Sequence, residues 1–205
     1  GSVIWSKTDT TTLTYSDLPF SVLENKGKVY NVSASLSNAY FYLVIRNKNT
    51  GEMEKIKELE WRMSLCEYGD SVVAIVTNNP ARVVVYNENA DSIRGFNLGY
   101  SLANGYVTGK TAGNYLWVMG NFYSSVWYFF IEKRSILSGE VMWRRNFPVS
   151  SINLYGDVDS NGAAYLGTYS SNSNACIIKL DSANTIIWEK ILPNTENFAF
   201  SDVAI

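Results

Sequence analysis

Short apolar runs alternate with short polar turns along this chain of 205 residues. The apolar runs are rich in β-branched and aromatic residues, and Asn, Asp, Gly or Ser follows each of them. Runs of this kind at even spacing are typical of β-strands joined by tight hairpins. The Glu/Lys-rich stretch 52–62 has the composition of a helix, but its apolar residues do not form a full amphipathic stripe. We therefore predict a strand there as well.

A short phrase recurs along the chain, made of a turn residue, a few β-formers, a Trp and a cation. It is clear at 1–7, 139–145 and 184–190, and fainter copies start at Gly51 and Asp91. The five starts are separated by 50, 40, 48 and 45 residues. A period in this range is typical of repeat proteins built from four-stranded units.

Each repeat contains two further landmarks, a glycine turn and an apolar strand about a dozen residues later. One unit therefore has the order strand, tight turn, strand, variable loop, strand, turn, strand. This order predicts a four-stranded antiparallel meander. The four predicted units span about residues 15–59, 60–98, 99–147 and 150–192.

The last unit resembles a known family of repeats. Residues 159–167 (Asp-Ser-Asn-Gly-Ala-Ala-Tyr-Leu-Gly), 178–181 (Ile-Lys-Leu-Asp) and 186–190 (Ile-Ile-Trp-Glu-Lys) are similar to the strand motifs of bacterial and archaeal β-propeller repeats of the PQQ-like and SBBP types. The similarity becomes weaker toward the N-terminus. It implies the propeller fold but no particular activity, because this fold carries many unrelated functions.

The sequence thus predicts an all-β chain that forms a single β-propeller domain with four to five four-stranded antiparallel blades. Residues 1–7 look like a fourth strand with no blade before it, and residues 198–205 look like a first strand with no blade after it. Three alternatives follow. A fifth blade is reduced or completed by the termini, the chain is part of a longer propeller, or two copies complete each other. Pairing of the termini would remove open sheet edges.

Composition narrows the classes of function. The formal net charge is −2 and the longest basic run is Arg144-Arg145, which argues against nucleic-acid binding. No apolar run approaches the ~18–20 residues of a membrane-spanning helix. Asn and Ser together outnumber the charged residues, and a surface that is polar through uncharged groups favours an extracellular, cell-surface or virion setting.

The chain contains no His, and therefore lacks the commonest general base and metal ligand. Cys66 and Cys176 lie in apolar strands of different units, so we predict buried free thiols and no disulfide. Carboxylate pairs drawn from Asp17, Asp157 and Asp202 remain as a catalytic alternative. We expect no enzyme activity, no catalytic residue and no cofactor.

Three sets of residues are candidate binding sites. Residues 157–162 match the first six positions of a calcium loop, but Thr168 stands where a bidentate Glu is required. A hairpin turn explains the same residues, so we predict no metal site. The Trp residues of the phrase favour packing between blades over ligand binding, because one aromatic side chain buries about 150–250 Å². These residues are Trp5, Trp143 and Trp188.

Stretches rich in Tyr, Asn and Ser are candidate contact surfaces, since these side chains make adaptable contacts with proteins and sugars. They lie at 40–42, 121–128 and 165–174. The glycosylation sequon at 31–33 falls in a predicted strand and is expected by chance.

The sequence therefore predicts a non-catalytic structural or protein-interaction module, with a protein partner or self-assembly. A glycan-binding propeller is one alternative. A fragment of a larger quinoprotein-like or glycosidase enzyme is another.

Overall fold

The structure is a computed structural model, which describes residues 18–34, 41–59, 61, 63–77, 80–100, 107–124, 126–148, 155–169 and 175–192. Within these ranges all regular secondary structure is β-strand, which confirms the predicted all-β class. Sixteen strands form four antiparallel sheets of four strands, and each sheet is a meander in chain order. In this part of the chain there is no helix that could cross a membrane.

The strands of sheets 1 and 2 are β1 (Leu18–Asn25), β2 (Lys28–Ala34), β3 (Phe41–Asn47), β4 (Met53–Leu59), β5 (Met63–Tyr68), β6 (Ser71–Val76), β7 (Arg82–Tyr86) and β8 (Ser92–Asn97). The strands of sheets 3 and 4 are β9 (Val107–Ala112), β10 (Tyr115–Ser124), β11 (Val126–Ser135), β12 (Val141–Pro148), β13 (Tyr155–Val158), β14 (Ala164–Tyr169), β15 (Ala175–Leu180) and β16 (Ile186–Leu192). Strand β4 lies in the Glu/Lys-rich stretch, so the prediction of a strand there is confirmed.

The chain divides into two compact units, Gly1–Leu98 and Gly99–Ile205. The first unit contains sheets 1 and 2, and the second contains sheets 3 and 4. The predicted terminal strands, 1–7 and 198–205, lie outside the described residues. The single domain and the completion of a fifth blade therefore stay predictions.

In the first unit, sheets 1 and 2 pack face to face through apolar side chains. Alternate residues of each strand point to this interface, as the period of two in a strand requires. Strand β6 is buried on both faces, since all five residues from Val72 to Val76 are at most 2% exposed. The interface side chains are Tyr30, Val32, Leu43, Ile45 and Leu59 of sheet 1 and Met63, Leu65, Val72, Ala74, Val76, Val84 and Tyr86 of sheet 2.

In the second unit, sheets 3 and 4 pack in the same way. The larger side chains come from sheet 3 and the smaller ones from sheet 4, so the two faces interlock. They are Trp117, Met119, Phe129 and Ile131 on one side and Ala164, Leu166, Cys176, Ile178 and Leu180 on the other. Neither Cys66 nor Cys176 forms a disulfide, and both are buried, as predicted. Burial and a hydrogen bond to Glu189 raise the pKa of the Cys176 thiol to about 12.

The turn before the fourth strand is built alike in sheets 1 and 3. Gly51 and Gly139 adopt left-handed backbone conformations with φ of 71° and 76°, which glycine tolerates best. Their carbonyl oxygens accept hydrogen bonds from the guanidinium groups of Arg46 and Arg134, at 3.0 and 2.9 Å. The glycine that begins the Trp phrase in these two sheets therefore suits the left-handed conformation of the turn.

Each fourth strand also contains one residue that breaks the pairing register with the third strand. The register shifts occur at corresponding places in the four sheets. The extra residues are Glu54, Ile93, Met142 and Ile187. Such bulges increase the local twist of the strand. Ile93, Met142 and Ile187 are more than half exposed, so the bulge leaves apolar side chains on the outer surface.

We predict that Gly156→Ala destabilises the second unit. A Cβ atom at this position would lie 2.6 Å from Met119 Sδ and 3.0 Å from Leu166 Cδ2, in the packed interface of sheets 3 and 4. Overpacking of this kind costs about 1–3 kcal/mol, measurable by urea unfolding. Gly27→Asn is the control, because the space around Gly27 is open and Asn tolerates its positive φ. An equal loss in both variants would contradict the close approach at Gly156.

Candidate functional site

Sheet 3 is joined to sheet 4 by two side-chain donors that share one backbone acceptor. The Trp143 indole N–H and the Lys133 ammonium group both donate to the carbonyl oxygen of Ser182, each at 3.1 Å. Ser182 lies in the turn between β15 and β16. The Lys133 ammonium group also lies 5.0 Å from the centre of the Trp117 ring. Trp143 thus packs against the core and fixes the position of the next sheet.

Sheet 1 is joined to sheet 2 by the same type of contact. Lysine side chains of sheet 1 donate to three successive carbonyl oxygens in the turn between β7 and β8 of sheet 2. The pairs are Lys28 with Glu88 (3.2 Å), Lys55 with Asn89, and Lys57 with Ala90 (3.1 Å). Lys55 occupies the position in β4 that Trp143 occupies in β12, as the shared register shift shows.

The turns whose carbonyl groups accept these hydrogen bonds are each stabilised by an Asn or Asp side chain at the first position. Asp181 Oδ1 accepts hydrogen bonds from the backbone N–H groups of Ala183 and Thr185, at 2.9 and 2.7 Å. The bond from Thr185 is the largest cause of the lowered pKa of Asp181. Asn87 Oδ1 accepts corresponding bonds in sheet 2. Asx turns of this type are local structures that preform without help from other sheets.

The other Trp residues of the phrase differ from Trp143. Trp188 occupies the corresponding position in β16, yet 42% of its surface is exposed. The prediction that these Trp residues pack between sheets therefore describes Trp143 but not Trp188. Trp5 lies outside the described residues.

The residues that partly match a calcium loop form a hairpin turn in the structure. Asp159 Oδ1 accepts hydrogen bonds from the backbone N–H groups of Asn161 and Ala163, both at 2.9 Å. Asp157 is buried and forms an ion pair of 3.0 Å with Lys110. These contacts account for both carboxylates without a metal. Among the described residues, no group of three His, Cys, Asp or Glu side chains could hold a metal ion.

The described residues include only some of the remaining candidates. Asp17 and Asp202 lie outside the described residues, so the carboxylate pairing with Asp157 stays a prediction. In the 121–128 stretch, Asn121 is 1% exposed, and the Phe122 and Tyr128 rings stack 5.4 Å apart. Tyr40 and residues 170–174 lie outside the described ranges.

The side chains of a buried polar cluster at sheet 3 interact with one another. Glu132 accepts hydrogen bonds from the Tyr100 hydroxyl group at 2.7 Å and from Arg134 Nε at 2.5 Å. Burial, followed by the Glu132 charge, raises the pKa of Tyr100. The Arg144 guanidinium group lies 4.6 Å from the centre of the Tyr100 ring. The cluster pairs its charges internally, as buried ionised groups require.

A groove of about 310 Å³ opens between sheets 1 and 2 of the first unit. This volume lies at the lower end of ligand sites, enough for one large side chain or one sugar ring. Its apolar lining consists of Leu59, Met63, Val76 and Val84, and its polar and aromatic lining consists of Lys57, Glu58, Trp61, Arg82, Tyr86 and Ser92.

The groove combines an exposed aromatic ring with positive charge. Trp61 is 48% exposed, although it borders buried Leu59 and Met63. Arg82 is exposed at the same groove, and Lys57 lies 4.8 Å from the centre of the Tyr86 ring. Against these two cations stands one carboxylate, that of Glu58. The lining comes from β4, β5, β6, β7 and β8, so no local sequence pattern could have indicated this site.

Several solved structures share this fold. The WD40 domain of Toxoplasma gondii coronin matches with a TM-score of 0.57 and 12% identity, over 82% of this chain and 44% of that one. Quinohemoprotein alcohol dehydrogenase from Comamonas testosteroni matches with a TM-score of 0.59 and 11% identity, over 87% and 35%. Pyrococcus horikoshii acylaminoacyl peptidase matches with a TM-score of 0.60 and 11% identity, over 92% and 34%.

These similarities show the fold alone: the four sheets are β-propeller blades, as the sequence predicted. The chain spans less than half of each of these three structures. No model of a sequence family and no curated protein matches the chain in sequence.

We predict that Trp143→Phe lowers the free energy of unfolding by about 1 kcal/mol, since it removes a hydrogen bond to the Ser182 carbonyl group and keeps an aromatic ring. Thermal or urea unfolding measures this loss. Trp61→Phe is the matched control at an exposed ring, and we expect it to change stability by less than about 0.5 kcal/mol. Equal effects in both variants would show that the hydrogen bond is not needed.

Proposed function

We propose that this propeller chain is a non-catalytic module that binds another protein through the groove of its first unit. The occupant is a short peptide segment that places an apolar side chain in the groove and a carboxylate beside it. The juxtaposition of exposed Trp61 with Arg82 above an apolar floor carries this proposal.

The chemistry of the groove supports this choice of occupant. Apolar side chains gain about 25 cal/mol for each Å² that they remove from water, and Trp and Arg are enriched among residues that dominate binding energy. Arg82 adds a fork of N–H donors that matches a carboxylate group. Lys57 already donates to Ala90 and contributes charge from its fixed position.

The non-catalytic assignment has support of a different kind. The whole sequence lacks His, and Asp157 is engaged with Lys110. Structures of similar fold include an alcohol dehydrogenase and a peptidase. The alternative is therefore that this chain is part of a larger enzyme. The mass of the natural protein distinguishes the two possibilities.

A glycan is the second candidate occupant. Sugar rings stack on exposed aromatic faces, and Trp61 offers such a face beside the polar groups of Glu58 and Ser92. The surplus of positive charge favours the acidic peptide over a neutral sugar.

The test is selection from a random peptide library on the immobilised chain, with a glycan array in parallel. We expect enriched peptides that share an acidic residue next to an aromatic or aliphatic one. Trp61→Ala and Arg82→Glu should each weaken their binding at least tenfold, equivalent to about 1.4 kcal/mol. Arg94→Glu is the matched control, because it makes the same charge change on β8 outside the groove lining.

Two results would contradict the proposal. Enriched peptides whose binding is insensitive to both groove variants would place the site elsewhere. Glycan hits that depend on Trp61, with no peptide enriched, would replace the protein ligand with the sugar.

A further inference from the structure

A glycine in the fourth strand of sheet 2 lies beside the groove of the first unit. Alternate residues of β7 line the groove from one face of the strand, and they are Arg82, Val84 and Tyr86. Strand register places Gly95 of β8 directly opposite Val84, the middle residue of the three. The position of β8 next to the groove floor therefore has no side chain.

The corresponding position has a longer side chain in each of the other three sheets. The shared register shift aligns Gly95 with Ile56 in sheet 1, Arg144 in sheet 3 and Glu189 in sheet 4. The guanidinium group in sheet 3 lies 4.6 Å from the centre of the Phe130 ring, and the carboxylate in sheet 4 accepts a hydrogen bond of 3.3 Å from the Cys176 thiol. In these two sheets the fourth strand thus covers a residue of the third. Val84 of sheet 2 receives no such cover from β8.

Neither the backbone nor the neighbouring sheet requires a glycine at this position. Gly95 is not among the glycines with positive φ. A Cβ atom at Gly95 would lie 3.1 Å from the carbonyl oxygen of Val83, a close contact that a shift of a few tenths of an ångström relieves. Among the described residues, no atom of sheet 1 would lie within 4 Å of it. A glycine inside a strand weakens the strand and often marks a place where a ligand approaches closely.

The space next to Gly95 suits an aromatic side chain. Val84 and Tyr86 provide apolar surface, and the Lys57 ammonium group lies 4.8 Å from the centre of the Tyr86 ring. A hydrogen bond of 3.1 Å to the Ala90 carbonyl group holds Lys57 in place. This bond is part of the junction between sheets 1 and 2, which, like the junction between sheets 3 and 4, joins side-chain donors of one sheet to a turn of the next. A second ring beside Tyr86 would gain from aromatic pairing and from the nearby cation.

We propose that Gly95 is the specificity-determining residue of the groove and admits an aromatic side chain of the bound peptide. The peptide main chain lies against Gly95, and its aromatic side chain fills the space next to Val84 that β8 leaves empty. The adjacent carboxylate of the peptide binds Arg82, which lies two residues from Val84 on the same face, about 7 Å along the strand. This inference rests on the proposed function and adds to it the class of side chain and the residue that selects it.

The experiment compares two variants that place the same side chain on opposite faces of β8. Gly95→Val adds a β-branched side chain beside the groove, whereas Arg94→Val is the matched control, because Arg94 pairs with Val85 and faces the other way. The probes are labelled hexapeptides that contain Phe next to Asp, in both orders, and the same peptides with Ala in place of Phe. Fluorescence anisotropy gives each Kd, and urea unfolding measures the stability of each variant.

We expect the unmodified chain and Arg94→Val to bind a Phe peptide at least tenfold more tightly than its Ala counterpart. Gly95→Val should bind both with the weak affinity of the Ala peptide, and its stability should match that of the control. A change in stability alone would weaken both peptides alike, so the loss of the Phe preference is specific to the proposed role.

Two results would overturn this role of Gly95. A Phe preference that Gly95→Val retains, or an equal loss of both peptides, would do so and would leave the proposed function standing. If the unmodified chain binds no Phe peptide, the aromatic class is wrong. The library selection then decides the proposed function separately, since enriched peptides with an aliphatic residue would keep it and the absence of any enriched peptide would reject it.

Discussion

The hydrogen bonds between sheets determine how the two sheets of each unit are positioned on each other. Apolar faces hold two sheets together, but the hydrophobic effect has no direction and does not fix how far one sheet slides on the next. Trp143 and Lys133 fix this offset in the second unit because both donate to the carbonyl group of Ser182. Lys57 does so in the first unit through Ala90. The acceptors are backbone groups in preformed Asx turns, so the contact has a fixed geometry.

The proposed binding groove depends on the hydrogen bonds between sheets 1 and 2. Lys57 is bound to the turn of sheet 2 and also lines the groove, so the same contact sets the spacing of its walls. Trp61 lies just after β4 and lines the groove, and its ring is exposed. A site of this kind is preorganised, which lowers the entropic cost of ligand binding. Each of these contacts also has a donor sheet and an acceptor sheet, which gives each pair of sheets a direction.

Much of the fold follows from the sequence because strands and turns are local. The strands, the meander order and the buried thiols were all predictable from apolar runs, turn residues and the surroundings of Cys66 and Cys176. The equivalent roles of Lys55 and Trp143 were not predictable from the sequence, because both side chains act by donating a hydrogen bond to a neighbouring sheet. The phrase is faint in sheets 1 and 2 because Lys55 and Arg94 stand where β12 has Trp143. The exposure of Trp188 and the groove at Trp61 depend on contacts between sheets, which no repeat pattern encodes.

The role of the junction is tested most directly by a double-mutant cycle between Trp143→Phe and Asp181→Ala, measured by urea unfolding. The indole N–H group of Trp143 donates to Ser182, whereas Asp181 holds the turn that presents this carbonyl group. If turn geometry gives this hydrogen bond its strength, Trp143→Phe costs less in the Asp181→Ala background, with a coupling of about 0.5 kcal/mol or more. Additive losses would show that the donor and the turn act independently, and would contradict the role assigned to the junction.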